Sequence, residues 1–383
     1  MNETIGVGVI GMGWMGRSHS RSYLDIPHRF SERKIQPKLI ACSDEIEERR
    51  STAQKDYSFE RSESDWHALI EADDIQVINI TTPNYLHFEI AEKAIKAGKH
   101  VFCEKPVGRS PEETLLIAKL ASSSNITTGV GYNYRWAPLI QHAHKLIKSE
   151  KLGKITHYRG RFFAGYGKNP HGALSWRFKE SQAGYGTLLD LVSHVIDTAL
   201  FLSGPISRVV SQKHTIIKER PETIPGKGTH FSTNTGGSLK TVTNEDYVGM
   251  LVEFSNGARG TLESCRAILG PECQMAFELN AQHGALSWDF ERMNEMQTFL
   301  KNSEGFSRVV ASPQHPFYER FSPGPGNPMG YEDTLTIELA QFIDSIITQK
   351  PYACGMNEAA NVAKVQQAAI NSWKTGTWQE VTQ

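Results

Sequence analysis

Five short apolar runs recur through the first third of the chain, at Ile5–Ile10, Pro37–Ser43, Ile75–Thr81, His100–Cys103 and Thr127–Gly131. They are nearly continuous rather than alternating, as expected of strands buried on both faces of a parallel sheet. Helical stretches separate them, so the pattern predicts βαβ units. One helix start is marked clearly. Ser110 is a good N-cap, Pro111 suits the first helical position, and Glu113 completes a capping box.

After about Tyr134 the pattern changes. Val248, Met250, Val252 and Phe254 alternate with Tyr247, Gly249, Leu251 and Glu253, the period of a half-exposed strand. Asn256-Gly257 follows at once, a strong hairpin signal. Further strands are predicted at Ile155–Phe163, Met275–Leu279 and Ala285–Asp289. Leu188–Phe201 reads as a buried helix. Leu335, Leu339, Phe342, Ile343, Ile346 and Ile347 share one helical face, and a last helix is predicted over Glu358–Trp373. Lys218–Thr243 and Pro313–Pro328 read as irregular. The pattern predicts an α/β chain: a doubly wound parallel sheet over residues 1–133, then an α+β domain over 134–383 with a mainly antiparallel open sheet.

Composition narrows the classes. With 39% apolar and 22% charged residues among 383, the chain is ordinary globular protein. A net charge of −1 gives no electrostatic footprint for nucleic acid. No run approaches the ~18 apolar residues of a membrane span. The five cysteines are odd in number and lack metal-ligand spacing, so they read as reduced thiols in a cytoplasmic protein, with no metal site expected.

The first candidate chemistry lies directly after the first strand. Gly11-Met12-Gly13-Trp14-Met15-Gly16 is a G-x-G-x-x-G turn opening a helix, the fingerprint of a Rossmann dinucleotide site. The helix N-terminus offers unpaired N–H groups to a pyrophosphate. Asp44 ends the second strand, where a carboxylate binds ribose hydroxyls and repels the 2′-phosphate of NADP, so NAD is the expected cofactor. The alternative for Asp44 is a simple cap on the next helix. It lies farther from the motif than usual, and Asp25–Gln36 reads as an insertion that accounts for the delay.

Glu104-Lys105-Pro106 follows the fourth strand, at the carboxyl edge where ligands sit in open α/β sheets, so Glu104 and Lys105 face the cofactor. A lysine there can hold a substrate hydroxyl and stabilise developing alkoxide charge. Asp190 and His194 stand four residues apart in an otherwise apolar stretch, one turn apart on one helical face. An imidazole suits proton abstraction from an alcohol. From these residues alone, a structural Asp–His pair in a buried helix is the competing account.

These motifs, with Thr81-Thr82-Pro83-Asn84-Tyr85-Leu86-His87, Ala97–Pro106, Gly131-Tyr132-Asn133-Tyr134-Arg135, Gly186–His194 with Asp197, and Glu253–Ala258, resemble the glucose–fructose oxidoreductase / inositol dehydrogenase / MocA family over nearly the whole chain. The resemblance implies a Rossmann domain followed by a substrate and oligomerisation domain. It implies Lys105, Asp190 and His194 as the catalytic set, with His194 the acid/base. Thr82, Asn84 and His87 would lie along the cofactor and Asn133 near the nicotinamide. Asp25–Gln36, Leu174–Phe178 and the stretch from His315 to Tyr331 are most similar to levoglucosan-type (anhydrosugar) dehydrogenases. On that likeness Trp176 and Arg177 contact the nicotinamide, or else pack and form a salt bridge. Tyr166 and Tyr331 contact the sugar, or else simply pack.

The expected activity is hydride transfer between NAD and a secondary hydroxyl of a neutral sugar, anhydrosugar or inositol-like cyclitol, in a homo-oligomer (dimer or tetramer). Two alternatives stand beside it: an NAD-dependent glycosidase, which releases no net NADH, and a non-catalytic cofactor-sensing regulator. Retention of Lys105, Asp190 and His194 argues against the regulator.

Overall fold

The computed structural model describes residues 3–222 and 237–382. The chain divides into two compact units, Met1–Trp136 with Gly330–Ala360, and Ala137–Met329 with Asn361–Gln383.

In the first unit, β1 (Glu3–Ile10), β2 (Ile35–Ser43), β3 (Arg61–Glu63), β4 (Val77–Ile80), β5 (His100–Cys103) and β6 (Thr128–Val130) form a parallel sheet in the order β3-β2-β1-β4-β5-β6. This is the doubly wound order whose switch point lies between β1 and β4. The five apolar runs became β1, β2, β4, β5 and the edge strand β6, and all four residues of β4 are buried. The sixth strand, β3, escaped notice because it is a polar edge strand of Arg, Ser and Glu. Asp25–Gln36, read as an insertion, forms the last turn of helix Trp14–Arg29, a short turn and the first residues of β2. Helix Tyr331–Thr348 closes this unit: Phe342 meets Phe102 of β5 edge-on at 5.3 Å, and Arg33 pairs with Asp344.

The second unit is built on nine strands: β7 (Ile155–Ala164), β8 (Ile206–His214), β11 (Tyr247–Phe254), β12 (Arg259–Cys265), β13 (Cys273–Ala281), β14 (Gly284–Asp289), β15 (Glu295–Leu300), β16 (Ser307–Val310) and β17 (Gln379–Glu380). Their order is β16-β15-β14-β13-β7-β12-β11-β8-β17, antiparallel throughout except for the pair β7 and β12. The alternation read in β11 is real: Val248, Met250, Val252 and Phe254 are buried, while Leu251 is 52% exposed. Between β8 and β11 lies a small hairpin, β9 (Glu219–Pro221) with β10 (Leu239–Thr241), inside the stretch expected to be loop. Residues 223–236 of that stretch lie outside the described residues. In the other stretch expected to be irregular, Tyr318–Arg320 forms a single 3-10 turn.

Leu188–Phe201 is two helices rather than one. Thr187–Asp190 ends at Leu191 (φ −109°, ψ −46°), and Val192–Ser203 begins after it. A tightened bond from His194 N–H to the Leu191 carbonyl (3.1 Å) marks the junction. Asp190 and His194 therefore flank a break instead of sharing one regular face. The second helix is buried against β7, with Val192, Val195, Ile196 and Ala199 at zero exposure. Among the described residues one helical stretch, Glu180–Ser203, is long and apolar enough to cross a membrane, and 83% of its apolar 18-residue window is buried inside the fold. None of the five cysteines forms a disulfide.

The register of β12 generates a direct test. Leu262 points inward at zero exposure, and its neighbour Thr261 points to the open face. Leu262→Ala is expected to cost about 2–5 kcal/mol, whereas Thr261→Ala stays within roughly 0.5 kcal/mol. Urea denaturation midpoints at unchanged slope measure both.

Candidate active site

In the first unit, the glycine turn is dictated by crowding. Gly11 has φ +95°, and a side chain there would meet the backbone of Thr81 and Thr82. A Cβ on Gly16 would sit 1.9 Å from the Gly11 carbonyl oxygen, so only glycine lets helix Trp14–Arg29 approach the strand. Gly13 faces open space and caps that helix without a side-chain bond, leaving its first N–H groups available to an anion. Asp44 follows β2; its Oδ2 accepts the Met12 N–H (2.8 Å) and its Oδ1 the Ile46 N–H (2.9 Å). It thus ties the glycine loop to the end of β2 as well as capping the next turn, and lone pairs remain for ribose hydroxyls.

The other predicted cofactor residues of this unit lie along the same carboxyl edge. Thr82 Oγ1 is buried without a protein partner among the described residues. Asn84 is buried at the start of helix Asn84–Lys96. His87 lies 2.7 Å from the carbonyl oxygens of both Thr82 and Pro106, bridging the loops after β4 and β5. Asn133 donates to Thr334 Oγ1 (3.0 Å). Trp14 is exposed and stacks on Tyr331 (5.6 Å), whose hydroxyl approaches Met15 Sδ. An open helix end, an orphaned buried hydroxyl and a free edge above the glycines fit a dinucleotide.

Lys105 is half-buried just beyond β5, at a cis peptide with Pro106. Glu104 beside it is buried; Oε2 accepts the Lys105 N–H (3.2 Å) and Oε1 lies 3.1 Å from His19 Nε2. His19 Nδ1 reaches Asn79 Oδ1 (3.1 Å), which also accepts from Tyr23. His19 is fully buried and was missed in the sequence. Its only signal is position, three residues past Gly16 on a helix whose buried face is mostly small and polar.

In the second unit, the structure gathers Tyr166, Trp176, Arg177 and Asp190 into one cluster. The Tyr166 hydroxyl donates to Asp190 Oδ2 (2.6 Å), and Arg177 Nη1 lies 3.4 Å from Asp190 Oδ1. Arg177 also covers the Trp176 ring at 4.4 Å. Burial and the facing Asp190 carboxylate push the Tyr166 phenol far above its ordinary range, so it serves as a donor. His194 is buried on helix Val192–Ser203, with the Phe162 ring 6.0 Å away. The arrangement holds one carboxylate in a fixed orientation near the start of the helix that carries an imidazole.

Known proteins add to this geometry. Residues 5–132 match the Gfo/Idh/MocA oxidoreductase family with its NAD-binding Rossmann fold, and residues 140–287 match the Gfo/Idh/MocA C-terminal domain. The chain is 34% identical to levoglucosan dehydrogenase of Pseudarthrobacter phenanthrenivorans over all of its own length and 99% of that enzyme. A solved structure of levoglucosan dehydrogenase in complex with NADH and levoglucosan superposes with a TM-score of 0.93 at 34% identity, covering 100% of both chains. A scyllo-inositol 2-dehydrogenase (NADP(+)) of Bacillus subtilis is 30% identical over 58% of each chain. From the glycine turn of the first unit to the mixed sheet of the second, this chain is an NAD-binding oxidoreductase that belongs to the Gfo/Idh/MocA family.

Proposed function

We propose that the protein is an NAD-dependent dehydrogenase of a neutral, pyranose-sized sugar, with levoglucosan-type anhydrosugars the favoured class and cyclitols next. The observation that carries the reading is the Tyr166–Asp190–Arg177 cluster leading into the His194 helix, in a chain alignable end to end with levoglucosan dehydrogenase. NAD supplies the hydride acceptor. Lys105 polarises the reacting hydroxyl and stabilises charge on its oxygen, His194 takes the proton, and Asp190 steadies the imidazolium that results. Gly11–Gly16, Asp44, Thr82, Asn84, His87, Glu104 and Asn133 serve the cofactor side, Trp176 and Arg177 its nicotinamide end, and Tyr331 the sugar side.

An acidic sugar would call for an uncommitted arginine fork. Arg177 is paired with Asp190, and Arg159 and Arg161 both pair with Glu278, which supports a neutral substrate. The test is NADH formation with levoglucosan, glucose, myo-inositol and a uronic acid. Turnover of levoglucosan or another neutral ring is expected, and His194→Ala and Lys105→Ala should each lower it on the order of 10²- to 10⁴-fold while NADH affinity holds within several-fold. Activity confined to the uronic acid, glycosidic-bond cleavage without net NADH, or an unaffected His194→Ala would overturn the assignment.

Cofactor choice follows from Asp44. Its backbone bonds hold a negative charge beside the ribose position, where a 2′-phosphate would be repelled. A higher kcat/KM for NAD than for NADP is expected, narrowed by Asp44→Ser; the reverse preference in the wild type would refute it.

The open face of the second-unit sheet, with Leu251 half exposed between Tyr247 and the Arg159–Arg161–Glu278 cluster, is proposed as the contact of a homo-oligomer. Light scattering at micromolar concentration should give a dimer or tetramer mass, and Leu251→Arg should lower it. A monomeric wild type would count against it.

A further inference from the structure

Three consecutive residues just before β11 carry more buried hydrogen bonds than a loop of that length needs. Asn244, Glu245 and Asp246 are all buried. Asp246 Oδ1 pairs with Arg266 Nε at 2.8 Å with neither side chain exposed, and its Oδ2 accepts the N–H groups of Ile216 (2.9 Å) and Ile217 (3.0 Å). Arg266 then donates from Nη2 to Asn244 Oδ1 (2.7 Å) and from Nη1 to the Arg177 carbonyl (3.1 Å). Asn244 Nδ2 donates to that same carbonyl (3.0 Å) and to the Gly184 carbonyl (3.0 Å). Glu245 completes the set. Its backbone carbonyl accepts the Thr187 N–H (3.1 Å), and its Oε1 accepts the Leu188 N–H (2.9 Å).

Besides the bonds that tie them to Ile216, Ile217 and Gly184, these residues reach two places beside Asp190. One is the backbone of Arg177, whose side chain reaches Asp190 Oδ1. The other is the first turn of Thr187–Asp190, the helix that ends on Asp190 itself. Phe178, next to Arg177, is held between the guanidiniums of Arg220 (4.0 Å) and Arg266 (4.5 Å). Apolar packing alone would fill this volume at lower desolvation cost. Directional bonds are what a carboxylate of fixed orientation requires.

We propose that Asn244, Glu245 and Asp246, locked by Arg266, are positioning residues for Asp190: they grip the Arg177 turn on one side of it and the Thr187–Asp190 turn on the other. The proposal rests on the reading that Asp190 serves the reaction. The same four residues are then specificity elements at one remove, since a carboxylate that swings by an ångström meets a different hydroxyl.

The test uses the full chain with Asn244→Ser, which leaves the Arg266–Asp246 pair in place, and Arg266→Lys as a second variant. Each is made alone and together with Asp190→Asn. Expected for the single variants is a fall in kcat/KM with levoglucosan and NAD of about 10- to 100-fold, with NADH affinity by fluorescence unchanged within twofold. In the Asp190→Asn background the further loss should be less than about twofold, because the bonds act through a group already removed. A general structural defect would instead multiply the two losses and overturn the proposal. An independent readout is the Asp190 carboxyl carbon in an aspartate-labelled NMR spectrum, assigned by its absence in Asp190→Asn. It should shift or broaden in Asn244→Ser. If it stays in place the proposal falls, whatever the activity. If wild type reduces NAD with no sugar while the Asp190 signal still moves, the positioning role stands and the functional reading fails instead.

Discussion

A guanidinium with no access to water constrains everything within reach of it. Arg266 must find a counter-charge and acceptors for its remaining N–H groups, or the fold carries an uncompensated charge costing several kcal/mol. Asp246 supplies the charge, and Asn244 and the Arg177 carbonyl supply acceptors. Because these partners lie on two segments other than its own, satisfying one side chain fixes the end of β12, the approach to β11 and the Trp176–Phe178 turn together. The Tyr166–Asp190–Arg177 cluster is the outermost consequence of that requirement. The break at Leu191 belongs to the same region: the helix ending on Asp190 is held at its start by Glu245, while the next helix is held by its apolar burial on β7.

The first unit is governed by a different constraint, close approach. The contact between Gly16 and the Gly11 carbonyl leaves no volume for a methyl group, and Gly13 caps the helix that starts there without a side-chain bond. Charge enters through Asp44, which organises the glycine loop and the next turn by accepting from backbone on both sides. Behind Lys105, a buried chain runs from Glu104 through His19 to Asn79 and Tyr23. Polar groups so placed rigidify a site because each is costly to leave unmade.

Membership in an NAD-binding oxidoreductase family with anhydrosugar and inositol dehydrogenases among its relatives is consistent with this division. The glycine turn is the general chemistry of Rossmann dinucleotide sites, whereas the polar network of the second unit is built from buried, directional bonds around Asp190. Substrate discrimination is expected where hydrogen bonds are directional and buried, since an unmet partner there is penalised far more than a lost apolar contact.

Local physics made much of the chain legible. Continuous apolar runs marked five strands of the parallel sheet, the β11 alternation marked a one-sided strand, and the glycine spacing marked the cofactor turn, because each depends on residues a few positions apart. The polar edge strand β3 and the β9–β10 hairpin were missed for want of an apolar signal. Helical periodicity over Leu188–Phe201 could not reveal the break at Leu191, which a glutamate 57 positions from Leu188 helps to set. Sequence alone determined the fold class, the dinucleotide turn and the residue types able to move a proton. Only the tertiary structure decided that Tyr166 and Arg177 bind Asp190, that Arg266 and residues 244–246 stand behind them, and that Gly330–Ala360 returns to the first unit. These are long-range pairings between buried polar groups, and nothing in the local sequence encodes which distant donor will face which acceptor.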